Sequence, residues 1–431
     1  NYAWRHFRPE KIFSQLFQLV KKAQSEECFP GVKIPAALSR QFTKKFQSGR
    51  AIGRKVSIIS GRSLRETNMP ARKSTLINNT QSAVILGFLI FLLLSAAPAV
   101  FAAAGEKAPV KKLFSTSDTL EITMHAPWRT ITKEDEFQGS YPAKLEYTDE
   151  SGNVVTLEHT VERRGITRQR VCAYPPIKLR FDKESVKGTE FEGQKSLKMV
   201  THCQKGSKYE QYYIQEMLIY QMYNLITDFS FKVRPLSITY VDSEEDKTQE
   251  PRFAFLIEDD SDVAKRNGQK KLDITDTWED RFVPQEAATM ALFQYMIANV
   301  DWASLSGPNP DKCCHNTKLI GLDPEKDIYA IPYDFDSSGL VNAEYAAPPD
   351  NLKLKSVTQR LYRGFCIHNP YLAESKQLFL DKEDAIYALI DNESRLASKS
   401  SKRVNKFIGK FYDILNSDKD FEKKIIEKCR K

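Results

Sequence analysis

Asp301, Asn316, Asp334 and Asp336 are the side chains whose types and spacing could do chemistry. Adjacent carboxylates repel, and each resists ionising unless a cation lies between them. A hard divalent ion held by Asp and Asn oxygens, with its other positions left to water and phosphate, is the arrangement magnesium uses in phosphoryl transfer. Asp334 and Asp336 follow an apolar run at a period of two, which places both on one side of an extended chain and facing one cavity. Asp301 stands apart from them, suited to act on an acceptor hydroxyl as a base or as an orienting group. His315 could also serve as a base, but a histidine ahead of a metal-binding Asn more often fixes its loop by hydrogen bonding.

Regular elements must position these groups. A helix over 284–298 presents Ala287, Met290, Ala291, Leu292, Phe293, Met296 and Ile297 as a broad apolar face, with Pro284 suited to its first turn. Asp301 therefore follows a rigid, buried helix, which fixes a carboxylate better than an open loop would. Trp302, beside it, is expected to pack on the helix end, and it is also kept as a candidate cofactor-binding residue that could stack on a nucleotide. The apolar run 328–332 reads as the strand that empties into Asp334 and Asp336. Upstream, 120–124, 143–148 and 154–161 alternate as strands, the last two joined by the turn 149–153. A basic turn, Arg163-Arg164-Gly165-Ile166-Thr167-Arg168, precedes the stretch 175–181, where alternation sets Lys178 and Arg180 on one face. A strand over 197–200 carries Lys198. Next comes a helix over 210–225, where Glu216 sits among Ile214, Met217, Leu218 and Met222, a place in which a carboxylate needs a cation. Strands over 236–242 and 252–257 end in the acidic exit Glu258-Asp259-Asp260. Residues 343–351 read as a Pro-rich loop over the cleft, and 385–396, 404–415 and 421–426 as amphipathic helices with Lys-rich outer faces.

Helix, Asp, a later Asn, a strand and then Asp-Phe-Asp is the order in which protein kinases and their distant relatives lay out base, second metal ligand and metal-binding Asp. The segment Asn299-Val300-Asp301-Trp302, the pair His315-Asn316, and the run from Ile331 to Val341 together resemble the spore coat protein H (CotH) kinase family of secreted atypical kinases. With upstream features the resemblance covers roughly 120–345. Three departures from the commoner kinase pattern stand out: there is no His-Arg-Asp, the interval from Asp301 to Asn316 is longer, and Asp336 replaces the glycine after Asp-Phe. The resemblance implies that Arg164 and a strand lysine lie near nucleotide phosphates. It also implies that Glu216 pairs with that lysine, Lys198 by proximity or Lys178 as competitor, and that the exit at Glu258 forms a hinge facing adenine. A basic turn, a solvated strand face and a surface glutamate are the structural alternatives, and no Gly-x-Gly-x-x-Gly loop is present to decide.

The chain has 431 residues, 41% hydrophobic and 11% aromatic, enough to bury a large core. Its net charge of +8 is misleading, because residues 1–68 hold 14 Lys/Arg against 4 Asp/Glu, leaving −2 for 69–431. A nucleic-acid binder would need a clustered basic face in the main body, so that class has little support. Arg72 and Lys73, the apolar run 83–94 and the small residues 95–104 read as a signal peptide, with an uncleaved membrane anchor as the alternative. Six cysteines follow the leader, an even count that reads as disulfides in an exported chain. Cys172 with Cys203 is the expected pair, since each ends a strand of one sheet. A zinc site at Cys313, Cys314 and His315 is the weaker reading, because vicinal cysteines are poorly spaced to share a tetrahedral ion.

The expected organisation is a basic leader or upstream extension (1–68), a signal peptide (69–104), a kinase-like N-lobe (105–258) and a C-lobe with terminal helices (259–431). The expected fold is α+β and bilobal like a protein kinase, β-rich in the first lobe and mainly helical in the second. The expected activity is transfer of the ATP γ-phosphoryl group to Ser/Thr of a protein substrate, with Mg2+ or Mn2+ as cofactor. Asp301 would serve as base, Asn316 and Asp334 as metal ligands, and Asp336 as a further ligand or support. The alternatives are a nucleotide-binding pseudokinase, an adhesion or structural module, and a nucleotidyl transferase using the same metal site. The destination is periplasmic, extracellular or cell-surface, with membrane contact through the N-terminal segment if that segment is uncleaved.

Overall fold

Alternating apolar residues make a strand bury one face, and in this chain seven strands bury theirs against one another by closing into a barrel. The computed structural model describes residues 107–133, 139–165, 167–308 and 311–431. The strands are β1 (Leu120–Ala126), β2 (Tyr141–Thr148), β3 (Val154–Arg163), β4 (Ile177–Phe181), β5 (Ser196–Val200), β6 (Val233–Asp242) and β8 (Arg252–Ile257), with the two-residue β7 (Lys247–Thr248) appended to β6. Their order is β1-β2-β3-β4-β5-β8-β6, antiparallel throughout, and β6 then pairs in parallel with β1 from Leu120↔Leu236 to Ala126↔Asp242. That last pairing removes both sheet edges. The inward residues, among them Met124, Leu145, Leu157, Leu179, Leu197, Leu236, Ile238 and Leu256, form one core.

The barrel corrects the expected fold. A kinase-like first lobe would be an open sheet, whereas here the sheet is closed on itself, and nine α-helices accompany it among the described residues. Local alternation foretold most of the strands and the β2–β3 hairpin, in register from Tyr141↔Val161 to Thr148↔Val154. It could not foretell that β1 meets β6, because a strand's period says which face is buried and nothing about a distant partner.

Outside the barrel, two short helices, α1 (Trp128–Lys133) and α2 (Thr167–Val171), interrupt the strands. The long α3 (Ser207–Ile226) is buried on nearly every side from Tyr212 to Tyr220, so its carboxylate at Glu216 is internal. After α4 (Asp260–Arg266) comes α5 (Pro284–Met296), buried from Ala287 to Met296. A small antiparallel sheet of β9 (Lys270–Lys271), β10 (Thr317–Gly321) and β11 (Tyr329–Pro332) flanks it. The helices α6 (Leu372–Asp381), α7 (Glu383–Asp391), α8 (Ser398–Leu415) and α9 (Asp418–Lys424) complete a second core around α3 and α5. Both cores belong to the unit Pro98–Lys431. The expected leader and signal peptide lie outside the described residues, and among those described no helix is long and apolar enough to cross a membrane.

Three cysteine pairs are bridged: Cys172–Cys203, Cys313–Cys314 and Cys366–Cys429. The first is the expected pair, 31 residues apart in sequence, although Cys172 follows the helix α2 where the end of a strand was expected, and closing a loop of ~30 residues stabilises by about 3–4 kcal/mol in the chain-entropy model. The bridges fit an oxidising, exported environment. The pairing of Cys313 with Cys314 leaves no thiolate there for the zinc alternative.

Two histidines tie the barrel to pH. His202 is packed against Tyr174 and Tyr240 with ring centroids 4.6 and 5.3 Å away, and burial pushes its imidazole down to about 3. His159 stacks on Phe181, and burial pushes it down to about 4. In the unfolded chain each takes a proton near pH ~6.5, while the folded protein keeps both neutral. The stability they contribute is therefore complete above pH ~6.5 and is lost as pH falls toward their folded values, by roughly 2 kcal/mol per histidine at pH ~5. Replacing His202 by Phe should make the decline in unfolding free energy between these two pH values shallower by about that amount. Parallel urea titrations of wild type and variant that fall equally would refute this.

Candidate active site

The end of α5 is built to aim a carboxylate. Ala298 takes a left-handed turn at φ +51°, and Asn299, which is buried, donates to Gln294 Oε1 at 3.0 Å while its Oδ1 accepts from the Asp301 N–H at 3.0 Å. The segment after Asp336 closes against this turn through Gly339 N–H to Ala298 O and Leu340 N–H to Ile297 O. A Cβ at Gly339 would lie 2.4 Å from Val357 O and 2.8 Å from Ala298 Cβ, so glycine is required there by close approach.

Asp301 then meets the other half of the site. His315 Nε2 lies 2.7 Å from Asp301 Oδ1, and Asn316 Nδ2 donates to the Asp301 carbonyl at 2.8 Å and to Oδ2 at 3.2 Å. The hydrogen bond to Asp301 raises the His315 imidazole above its ordinary value. Asn316 and Asp334 leave the same end of β10 and β11, where Thr317 faces Pro332 and the Tyr333 N–H bonds the Asn316 carbonyl. Both adopt positive φ, +49° and +64°, a conformation Asn and Asp tolerate better than most residues. The Asp334 N–H is anchored on Tyr220 Oη at 2.8 Å.

The cation between the carboxylates is Arg168. Its guanidinium reaches Glu216 with two hydrogen bonds at 3.1 and 3.3 Å, Asp336 through Nε at 3.2 Å, and Asp334 through Nη2. Tyr345, from the loop expected over the cleft, donates to Asp336 at 2.9 Å. Burial pushes Glu216 up to about 8 and also raises Asp336, each against the pull of Arg168. For Asp334 burial works the same way, but Arg168 and then Arg164 outweigh it and hold the carboxyl below its ordinary range. The side chain of Asp334 is 30% exposed against 9% for Asp336 and 0% for Glu216, so Asp334 is the most exposed carboxylate of this cluster.

The structure thus corrects the expected pairing of Glu216 with a lysine. Lys198 and Lys178 lie directly opposite each other on β5 and β4, and neither bonds Glu216. Lys198 sits over the Phe231 and Tyr333 rings at 5.7 and 5.3 Å, and Lys318 over Tyr333 at 5.3 Å. Burial, with Arg164 next in effect, lowers the Lys198 ammonium to about 8, and Lys318 is lowered mainly by burial. Arg164 has a buried Nη1 without a hydrogen-bond partner. Glu258 is buried, and its carboxylate is taken by Arg266 at 2.9 and 3.1 Å and by the Lys232 N–H. Trp302 packs as expected: it is buried, donates to the Asn299 carbonyl and carries Arg363 over its ring.

Sequence reading passed over Arg168, Lys318, Tyr333 and Tyr345. A third arginine in the turn 163–168 was the available signal for Arg168, but nothing in its spacing distinguished it from a solvated cation. Among the described residues no group of three or more His, Cys, Asp and Glu is arranged to hold a metal. Asn316 and Asp334 offer an amide oxygen and a partly exposed carboxylate, the donor types that a divalent ion takes alongside phosphate and water. Asp336 does not fit as a ligand, because Arg168 and Tyr345 already engage it. No protein-family model matches the chain, and no curated protein matches its sequence.

Proposed function

We propose that the chain is an exported phosphotransferase that moves the γ-phosphoryl group of ATP onto a Ser/Thr hydroxyl of a protein. The observation that carries this reading is the division of the site. Asp301 with His315 and Asn316 forms one wall, the partly exposed Asp334 acts on His315 from beside it, and Lys198, Lys318 and Arg164 form a cationic group near Tyr333. Among the described residues none of those three cations has a carboxylate within ion-pair distance, which suits them to a polyphosphate. The motif block's resemblance to CotH kinases agrees with this, and the barrel does not oppose it, since chemistry resides in the site and not in the fold.

On this reading Lys198, Lys318 and Arg164 bind the phosphates, and Asp301 orients the acceptor hydroxyl and receives its proton. A divalent ion at Asn316 and Asp334, when bound, neutralises charge on the transferring phosphates. The Arg168 lock on three acids favours a second reading, a nucleotide-binding protein without transfer. Product mass separates these from nucleotidyl transfer: incubation with ATP, Mg2+ or Mn2+ and casein or the chain itself should add the mass of a phosphoryl group. Addition of a nucleotidyl group would replace the proposal with the nucleotidyl alternative. No addition, with binding retained, would favour the second reading.

Lysine roles give a sharper check. Lys198→Met should weaken nucleotide binding about tenfold or more, the scale of losing a charged hydrogen bond, with Lys178→Met changing it far less. Calorimetric titration giving the reverse order would move the phosphates to β4.

A further inference from the structure

Three carboxylates converge on one guanidinium at a place where the resemblance to kinases leads one to expect metal ions. Glu216, Asp334 and Asp336 all lie within ion-pair distance of Arg168, whose side chain is 6% exposed. An arginine keeps its charge at any physiological pH, and its planar fork of donors matches several carboxylates at once. The guanidinium is also anchored. Cys172, directly after α2, is bridged to Cys203 beyond the end of β5; Gln204 donates to the Val171 carbonyl, Arg163 to the Gln169 carbonyl at 3.2 Å, and the Tyr213 ring lies 5.6 Å from the guanidinium carbon.

A dication bound to Asp336 would have to sit against this fixed positive charge in a poorly solvated place, where like charges repel strongly. Asp334 is also bonded to Arg168 but keeps a partly exposed side, and its charge reaches His315 beside Asp301, so one ion can be held on that side without displacing Arg168.

We infer that Arg168 takes the place of a second divalent cation, so that the site binds one divalent ion with its nucleotide where two would otherwise be expected. The inference rests on the nucleotide-binding reading given above, and its test separates the two. Mn2+ is titrated into the full chain in the presence of the non-hydrolysable analogue AMP-PNP, with free Mn2+ followed by electron paramagnetic resonance. One ion per chain is expected, and Asp336→Asn should still bind one, with its affinity changed less than about threefold, because an asparagine there removes no metal ligand. Two ions in the wild type, or a tenfold loss of Mn2+ affinity in Asp336→Asn, would overturn the inference while leaving nucleotide binding intact. Absence of any Mn2+-dependent AMP-PNP binding would instead overturn the reading of the site, and this inference with it. Arg168→Gln should admit a second Mn2+ where it folds; where it does not, the Asp336→Asn arm decides.

Discussion

Replacing Asp334 by asparagine is expected to abolish most phosphoryl transfer while leaving the fold intact. The backbone there has φ +64°, which asparagine adopts readily, and an amide oxygen can still accept from Arg168. The variant loses one of three acids crowded on a single guanidinium, so Glu216 and Asp336 each lose a repulsive neighbour. A hard cation, in contrast, loses the charge that holds it. Transfer should fall at least ~10²-fold, the scale of removing a group that stabilises charge in a transition state. The metal-dependent rise in melting temperature with nucleotide should vanish, while the melting temperature without ligand stays level or falls slightly, because the relief of Glu216 and Asp336 is set against the loss of a charge that Arg168 and Arg164 hold ionised. A variant that transfers phosphate near the wild-type rate would remove Asp334 from the chemistry and leave the non-transferring reading in front.

Asp301→Asn should fail differently. Asp301 touches His315 and Asn316, and on the proposed reading it acts on the acceptor hydroxyl, so its loss should cost ~10²-fold or more in transfer and leave metal-nucleotide binding within a few-fold of wild type. His315 supplies an independent readout. Its imidazole is raised by the bond to Asp301, and a neutral partner should let it fall back toward the ordinary value. The NMR titration of the His315 ring should therefore move to lower pH in the variant. An unchanged midpoint would show that the contact does not set the proton affinity, and weakened nucleotide binding would place Asp301 on the donor side.

How much of this was legible depends on sequence distance. Asp301 just past a buried helix, Asp334 and Asp336 delivered by a short strand and the interior position of Glu216 were all readable. Each follows from a period of 3.6 or 2.0, or from where an element stops, and these are properties of neighbouring residues. The vicinity of Asp301, His315 and Asn316 was half legible: the residues were singled out, but the Asn299 bracket and the paired ends of β10 and β11 were needed to bring them into contact.

The tertiary structure alone decided what the charged groups touch. Glu216 was expected to need a cation, and it has one, but the chain offers many cations and only the packing of α2 against α3 and the end of β11 selected Arg168 over Lys198 or Lys178. The same holds for the barrel, where alternation made β1 and β6 amphipathic strands while their parallel pairing required segments more than 100 residues apart to meet. The residues themselves determined which groups had to be buried, compensated or presented at an element's end, because those demands are local. Which partner answers each demand is settled by long-range closure, where the free energy of bringing distant segments together depends on everything packed between them.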